Sequence, residues 1–289
     1  MMISRSIWWQ IIVPLTLFAI SGVAHLIGFS LLYKVKCELI NQRVILLNIS
    51  FVEMLLSFFI TVNLICGRFF EIQAWCYVSL VSQMWFGMHL KCLMMYLVVD
   101  RTLDIYLHLK YAVLFPRERV IKIIAIMWIL MFFVAIVHLT FSLYLTGCMT
   151  IMHIAVVTYT VFDALICVTT IVSFAYLLSK VRAILKIKSG VTSQNRQQSV
   201  KSLKKKLLLP AFMVLSYMIF NLSGAICLCL RHVYGSTELG NSFLFAARTA
   251  IALGLLSDSF LYIFMQKQVR KLLRETFLSS CSGDAPIQH

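Results

Sequence analysis

Five ionisable side chains, Glu53, Lys91, Asp163, Arg248 and Asp258, stand inside long apolar runs, and the adjacent pair Asp100 and Arg101 closes another. A charge in hydrocarbon is expensive, so such residues face a bundle interior, pair with one another or line a route for ions or substrate. Glu53 and Asp258 offer carboxylates that could hold a cation such as sodium or share a proton. Lys91 could neutralise one of them and make sodium unnecessary, which leaves a structural ion network. Arg248 could anchor an anionic ligand or pair with an internal acid. For Arg101 the neighbouring Asp100 supplies a carboxylate, and the pair either holds the guanidinium in a releasable contact or marks the membrane edge. The 7 histidines are dispersed without metal-ligand spacing, and Ser and Cys in such runs commonly pack or hydrogen-bond, so an enzyme is not expected.

The elements that must position these residues follow from composition. The 289 residues are 61% apolar and 13% charged, with a mean hydropathy of +0.91, whereas globular domains run about 45–50% apolar. The fold class is therefore an all-α integral membrane protein. Apolar runs predict spans near 8–33, 44–66, 76–100, 121–146, 151–178, 207–230 and 241–265. Seven spans of about 23 residues take roughly 160 residues, so 1–265 reads as one transmembrane domain with short loops. The first run is too long for a signal peptide, has no Ala-x-Ala-like cleavage site, and reads as a retained helix.

Lys and Arg collect in the segments after the first, third, fifth and seventh spans, while Arg5, Arg68 and Arg231 fall on the opposite side. The positive-inside rule then places the N-terminus outside and the C-terminus in the cytoplasm. The formal net charge of +15 is one-sided, which suits an anionic inner leaflet and acidic cytoplasmic partners rather than nucleic acid. Residues 266–278 set Val269, Leu272, Leu273 and Phe277 against Lys267, Arg270, Lys271 and Arg274, the pattern of an amphipathic helix lying on the bilayer. Residues 279–289 read as a short cytoplasmic tail.

Several segments carry a family resemblance in chain order: NISFVEMLL (48–56), VVDRTLDIYLHLKY (98–111), Trp128, and DSFLY (258–262) running into QKQVRKLL. Together they make the chain resemble a rhodopsin-like, class A G-protein-coupled receptor over nearly its whole length, as a divergent member. Glu53 stands where the family has its sodium-site aspartate, and Asp100 and Arg101 match the Asp-Arg-Tyr motif, with Thr102 replacing the tyrosine. DSFLY resembles Asn/Asp-Pro-x-x-Tyr, with Ser259 in place of proline. His25 stands about where the first helix carries asparagine, the fifth span lacks its proline, and LSYMIF (215–220) replaces Cys-Trp-x-Pro, with Tyr217 near the switch tryptophan's place.

The resemblance implies a seven-helix bundle with an amphipathic eighth helix in the plasma membrane, and a Cys76–Cys148 disulfide at its external end. It implies that Arg101, held by Asp100, is released as the sixth helix moves outward, and that Arg101, Tyr176 and Tyr262 then line a cleft for a heterotrimeric G protein, with arrestin a further partner. It implies a ligand pocket from Gln83, Met84, Asp163, Tyr217, Phe220, Asn221 and Arg248, and lipidation at Cys281. Gln83 stands where amine receptors carry aspartate and Ala252 where opsins carry the retinal lysine, so neither a typical amine nor retinal is expected. The short external segments favour a small organic molecule or short peptide. A transporter, or a receptor-fold protein without G-protein coupling, are the competing readings.

Overall fold

Hydrocarbon supplies no partner for backbone N–H and C=O groups, so a chain this apolar closes its hydrogen bonds within helices. The computed structural model describes residues 5–34, 40–69, 73–107, 109–144, 161–162, 164–179, 211–235, 237–265 and 269–272, with 182 and 208. Its helices are α1 (Arg5–Lys34), α2 (Ile40–Phe69), α3 (Gln73–Leu107), α4 (Leu109–Leu114), α5 (Arg117–Tyr144), α6 (Ala164–Ser179), α7 (Ala211–Tyr234) and α8 (Glu238–Met265). Five stretches are long and apolar enough to cross a membrane: Trp9–Lys34, Asn41–Ile65, Arg117–Val137, Ala211–Tyr234 and Glu238–Leu261. The protein is therefore an all-α, multi-pass membrane bundle. Of the seven predicted spans, the fifth is described only from residue 161 onward.

α3 is 35 residues long but falls outside the apolar set, because His89, Lys91, Asp100, Arg101 and Asp104 interrupt it. All of these are buried, which makes α3 the inner helix of the bundle. α1 packs on α2 and α8, α2 on α3, and α7 on α8. Phe18, Ile49, Leu93, Leu97 and Leu255 form the shared core. α5 leans on α3 and α2, its Trp128 ring 6.0 Å from that of Trp85. Only 11% of its apolar window is buried, and Ile126, Ile129, Leu130 and Phe133 are exposed to lipid.

α7 replaces the missing proline bend with a different device. Tyr217–Leu222 is a π-helical turn, which inserts one extra residue per turn and frees backbone carbonyls. The Ser223 hydroxyl, donating to the Ile219 and Phe220 carbonyls, satisfies them. The widened turn is received by glycine on α8. A Cβ on Gly254 would lie 3.0 Å from the Phe220 Cβ and 3.5 Å from Asn221 Nδ2, and one on Gly224 would lie 3.0 Å from Ile251. Small residues thus let the α7 and α8 backbones approach, as van der Waals packing in lipid requires.

The expected disulfide is a correction. No disulfide is present among the described residues, where Cys92, Cys167, Cys227 and Cys229 are unbridged thiols. These thiols sit on membrane helices, with Cys92 and Cys167 buried in the bundle. Cys148 and the Cys76 side chain lie outside the described residues, as does Cys281. Of the predicted surface helix, 269–272 is described and helical, with Arg270 and Lys271 exposed. Val269 is buried and Leu272 packs on the core.

Candidate functional site

Two polar clusters occupy the interior, one at the end of α3 and one at the centre. At the α3 end, Arg101 is 1% exposed, too deep for its charge to go uncompensated. Its Nε donates to Asp100 Oδ2 at 3.0 Å, its Nη2 donates to the same oxygen, and its Nη1 lies 3.7 Å from Asp104 Oδ2. The other Asp100 oxygen accepts the Tyr111 hydroxyl. Asn41 Nδ2 then donates to the Tyr111 oxygen at 3.2 Å and to the Phe115 carbonyl at 2.8 Å, and the Tyr111 and Phe115 rings stack at 5.6 Å. Burial first, and then donation to Asp100, hold the Tyr111 hydroxyl above its usual pKa, so it remains a donor. α4 is thus pinned under α3 and α2 by a hydrogen-bonded chain that ends on Arg101.

The central cluster joins α1, α2, α7 and α8. His25 Nε2 lies 2.8 Å from the Leu255 carbonyl, and a carbonyl can only accept, so Nε2 carries a hydrogen. His25 Nδ1 lies 3.2 Å from Glu53 Oε2. Either Glu53 is protonated and donates to Nδ1, or the imidazole is charged and pairs with a carboxylate. In both cases one proton is held between the two. Asp258 is within hydrogen-bonding reach of Glu53 and Ser216, and the Ser216 and Ser257 hydroxyls are 3.2 Å apart. Two carboxyl groups in contact, each about 1% exposed or less, require a further proton or a bound cation. The oxygens of Glu53, Asp258 and Ser216 are hard donors that suit sodium. The proton between His25 and Glu53 supplies much of the same neutralisation.

Asp100 with Arg101, and Glu53 with Asp258, are therefore brought together. Lys91 is buried on α3. Tyr176 is 47% exposed on α6. Tyr262 lies in α8 with its side chain outside the described residues, and Asp163 lies outside them altogether.

Tyr217 lines a small apolar cavity between α3, α6 and α7 with Met94, Leu97, Ile166, Thr170 and Met213. Gln83, Met84, Phe220, Asn221 and Arg248 are absent from its lining. Across the π turn, Phe220 and Asn221 lie against Gly254 while Tyr217 faces α3 and α6.

His25, Asp104, Asn41, Tyr111 and Ser216 take part in these clusters, and sequence reasoning assigned none of them to a site. His25 had a signal in the stripe Phe18, Ser21, His25 and Leu32, all buried at helical spacing. Asp104 stands three residues after Arg101, one turn along the same face. Asn48 and Trp128, both picked out by the resemblance, do meet. The Trp128 indole donates to Asn48 Oδ1 at 3.3 Å and joins α5 to α2. No protein-family model and no curated protein matches the chain.

Proposed function

We propose that this chain is a seven-helix receptor similar to the rhodopsin-like G-protein-coupled receptors, with an external N-terminus, an amphipathic eighth helix, and a heterotrimeric G protein as its cytoplasmic partner. The observation that carries this reading is the buried Arg101, held by Asp100 at the end of α3 that the positive-inside rule assigns to the cytoplasm. A guanidinium that costly to bury is kept where its release can be coupled to another event. The π turn of α7, beside the cavity shared with α3 and α6, gives a helix that can move without a proline hinge. An external small molecule or short peptide that favours the outward position of α7 shifts the equilibrium towards the released state. The contact of Asn48 with Trp128 supports the same family reading.

A transporter is favoured by one observation, the proton-sharing set of His25, Glu53 and Asp258 at the bundle centre. One experiment separates the readings: ligand-independent G-protein activation across the main G-protein classes, in cells with verified surface protein, for the natural chain and Arg101→Ala. Signal in the natural chain that Arg101→Ala abolishes at equal surface level supports the receptor. Signal unchanged by the substitution refutes the role given to Arg101.

A further inference from the structure

The Arg101 guanidinium has three nitrogens, and Asp100 engages two of them. Nε and Nη2 donate to Asp100 Oδ2, while Asp100 Oδ1 accepts the Tyr111 hydroxyl, so both oxygens of that carboxylate are taken. The third nitrogen, Nη1, lies 3.7 Å from Asp104 Oδ2, an ion-pair distance rather than a hydrogen bond. Arg101 and Asp104 are three positions apart and share one face of α3. The contact is thus built by a single helix and needs no other element.

Asp104 stands where its own helix disfavours it. It falls in the last turn of α3, which ends at Leu107, and the negative end of the helix dipole repels a carboxylate there. It is also buried, which adds a desolvation cost that a facing cation reduces. The guanidinium 3.7 Å away offsets both costs. Its side chain is 10% exposed against 1% for that of Arg101, so Asp104 is the more accessible of the two.

We propose that Asp104 is a positioning residue for Arg101, the second carboxylate of a clamp contained within α3. Asp100 holds Nε and Nη2 by hydrogen bonds, Asp104 draws Nη1 by charge, and Arg101 is released only when both contacts are given up. The inference rests on the receptor reading above for the consequence of release. It deepens that reading by adding a second restraint to the same switch.

The test has two arms, both on the full chain. In the first, Tm is measured in phosphatidylcholine nanodiscs for the natural chain, Asp104→Asn, Arg101→Gln and the double variant. Asp104→Asn should lower Tm in the natural background. In the Arg101→Gln background it should leave Tm unchanged or raise it, because the substitution then removes an anion that the helix end disfavours. An equal fall in both backgrounds overturns the clamp, since Asp104 would then act through another contact.

In the second arm, ligand-independent G-protein activation per surface receptor should rise about three- to tenfold in Asp104→Asn, for a contact intermediate between an exposed and a fully buried ion pair. Asp104→Glu keeps the charge, and its longer side chain can close the 3.7 Å gap. Its basal signal should stay at or below the natural level, an outcome that a role in packing alone does not produce. Basal signal unchanged in Asp104→Asn, in a natural chain that signals through Arg101, overturns the restraint, as does an equal rise in Asp104→Glu. The melts need no G protein, so they decide the clamp even where no coupling is found. Should Arg101→Gln not fold, the melts of Asp104→Glu and Asp104→Asn decide instead. A Tm kept by the first and lowered by the second supports the clamp, and equal losses overturn it.

Discussion

Removing the Tyr111 hydroxyl tests whether the Arg101 cluster is a latch. In Tyr111→Phe the ring keeps its stacking on Phe115 at 5.6 Å, and only the donation to Asp100 Oδ1 and the acceptance from Asn41 are lost. Asp100 is then left with Arg101 as its partner while one of its oxygens is buried and unsatisfied. A hydrogen bond to a charged group contributes about 1.5–3 kcal/mol. If that bond exists only while Arg101 is held, its loss raises the released population by roughly 10- to 150-fold, at about 1.4 kcal/mol per factor of ten. A released state at about 1% would rise to 10% or more, a change visible in basal signalling. The assay is ligand-independent G-protein activation per surface receptor, with Tm of the purified protein measured alongside. Basal activity should rise while Tm falls. Unchanged basal activity at equal surface level, in a protein whose natural form signals through Arg101, would refute the latch. Because the folded pKa of Tyr111 is raised, its contribution is complete below the ordinary tyrosine value of about 10 and is lost as pH climbs through the higher folded value. The two proteins should therefore differ throughout the neutral range and converge only in strongly alkaline solution.

Other outcomes follow from the central cluster and the α7–α8 contact, beside the one already given for Arg101→Ala. His25→Leu removes the partner of Glu53 and leaves the Leu255 carbonyl without its donor, so the loss in stability should be about 3–5 kcal/mol, the cost of breaking a buried pair. Thermal unfolding in nanodiscs measures it, His25→Gln should recover part, and an undiminished Tm for His25→Leu would show that the contact does not stabilise the fold. Gly254→Val drives a Cβ to 3.0 Å from that of Phe220 and should cost about 1–3 kcal/mol by overpacking. Gly22→Ala, whose Cβ would meet Ser57 at an ordinary 3.6 Å, should be nearly neutral in the same melt, and equal effects would sink the packing argument.

Most of the membrane architecture was legible because it is a one-dimensional property. The runs that became α1, α2, α5, α7 and α8 are set by local hydropathy and by the need of each segment to satisfy its own backbone in lipid. The pairing of Asp100 with Arg101 was legible from charge, since a guanidinium inside a bundle needs a carboxylate and the adjacent residue offers one. α3 was the exception among the elements. Its buried charges lower its hydropathy, and only its enclosure by other helices explains how Lys91, Arg101 and Asp104 are tolerated inside.

What the sequence determined by itself is that the chain crosses a membrane as helices and which residues could carry charge inside it. What the tertiary structure decided is which of those residues meet. His25 is separated from Glu53 by 28 positions and from Leu255 by 230, and only the packing of α1 between α2 and α8 turns a histidine in an apolar run into the holder of a proton shared with Glu53. The π turn likewise separates Tyr217 from Phe220 and Asn221, because an extra residue in the turn rotates everything after it and no hydropathy pattern records that rotation.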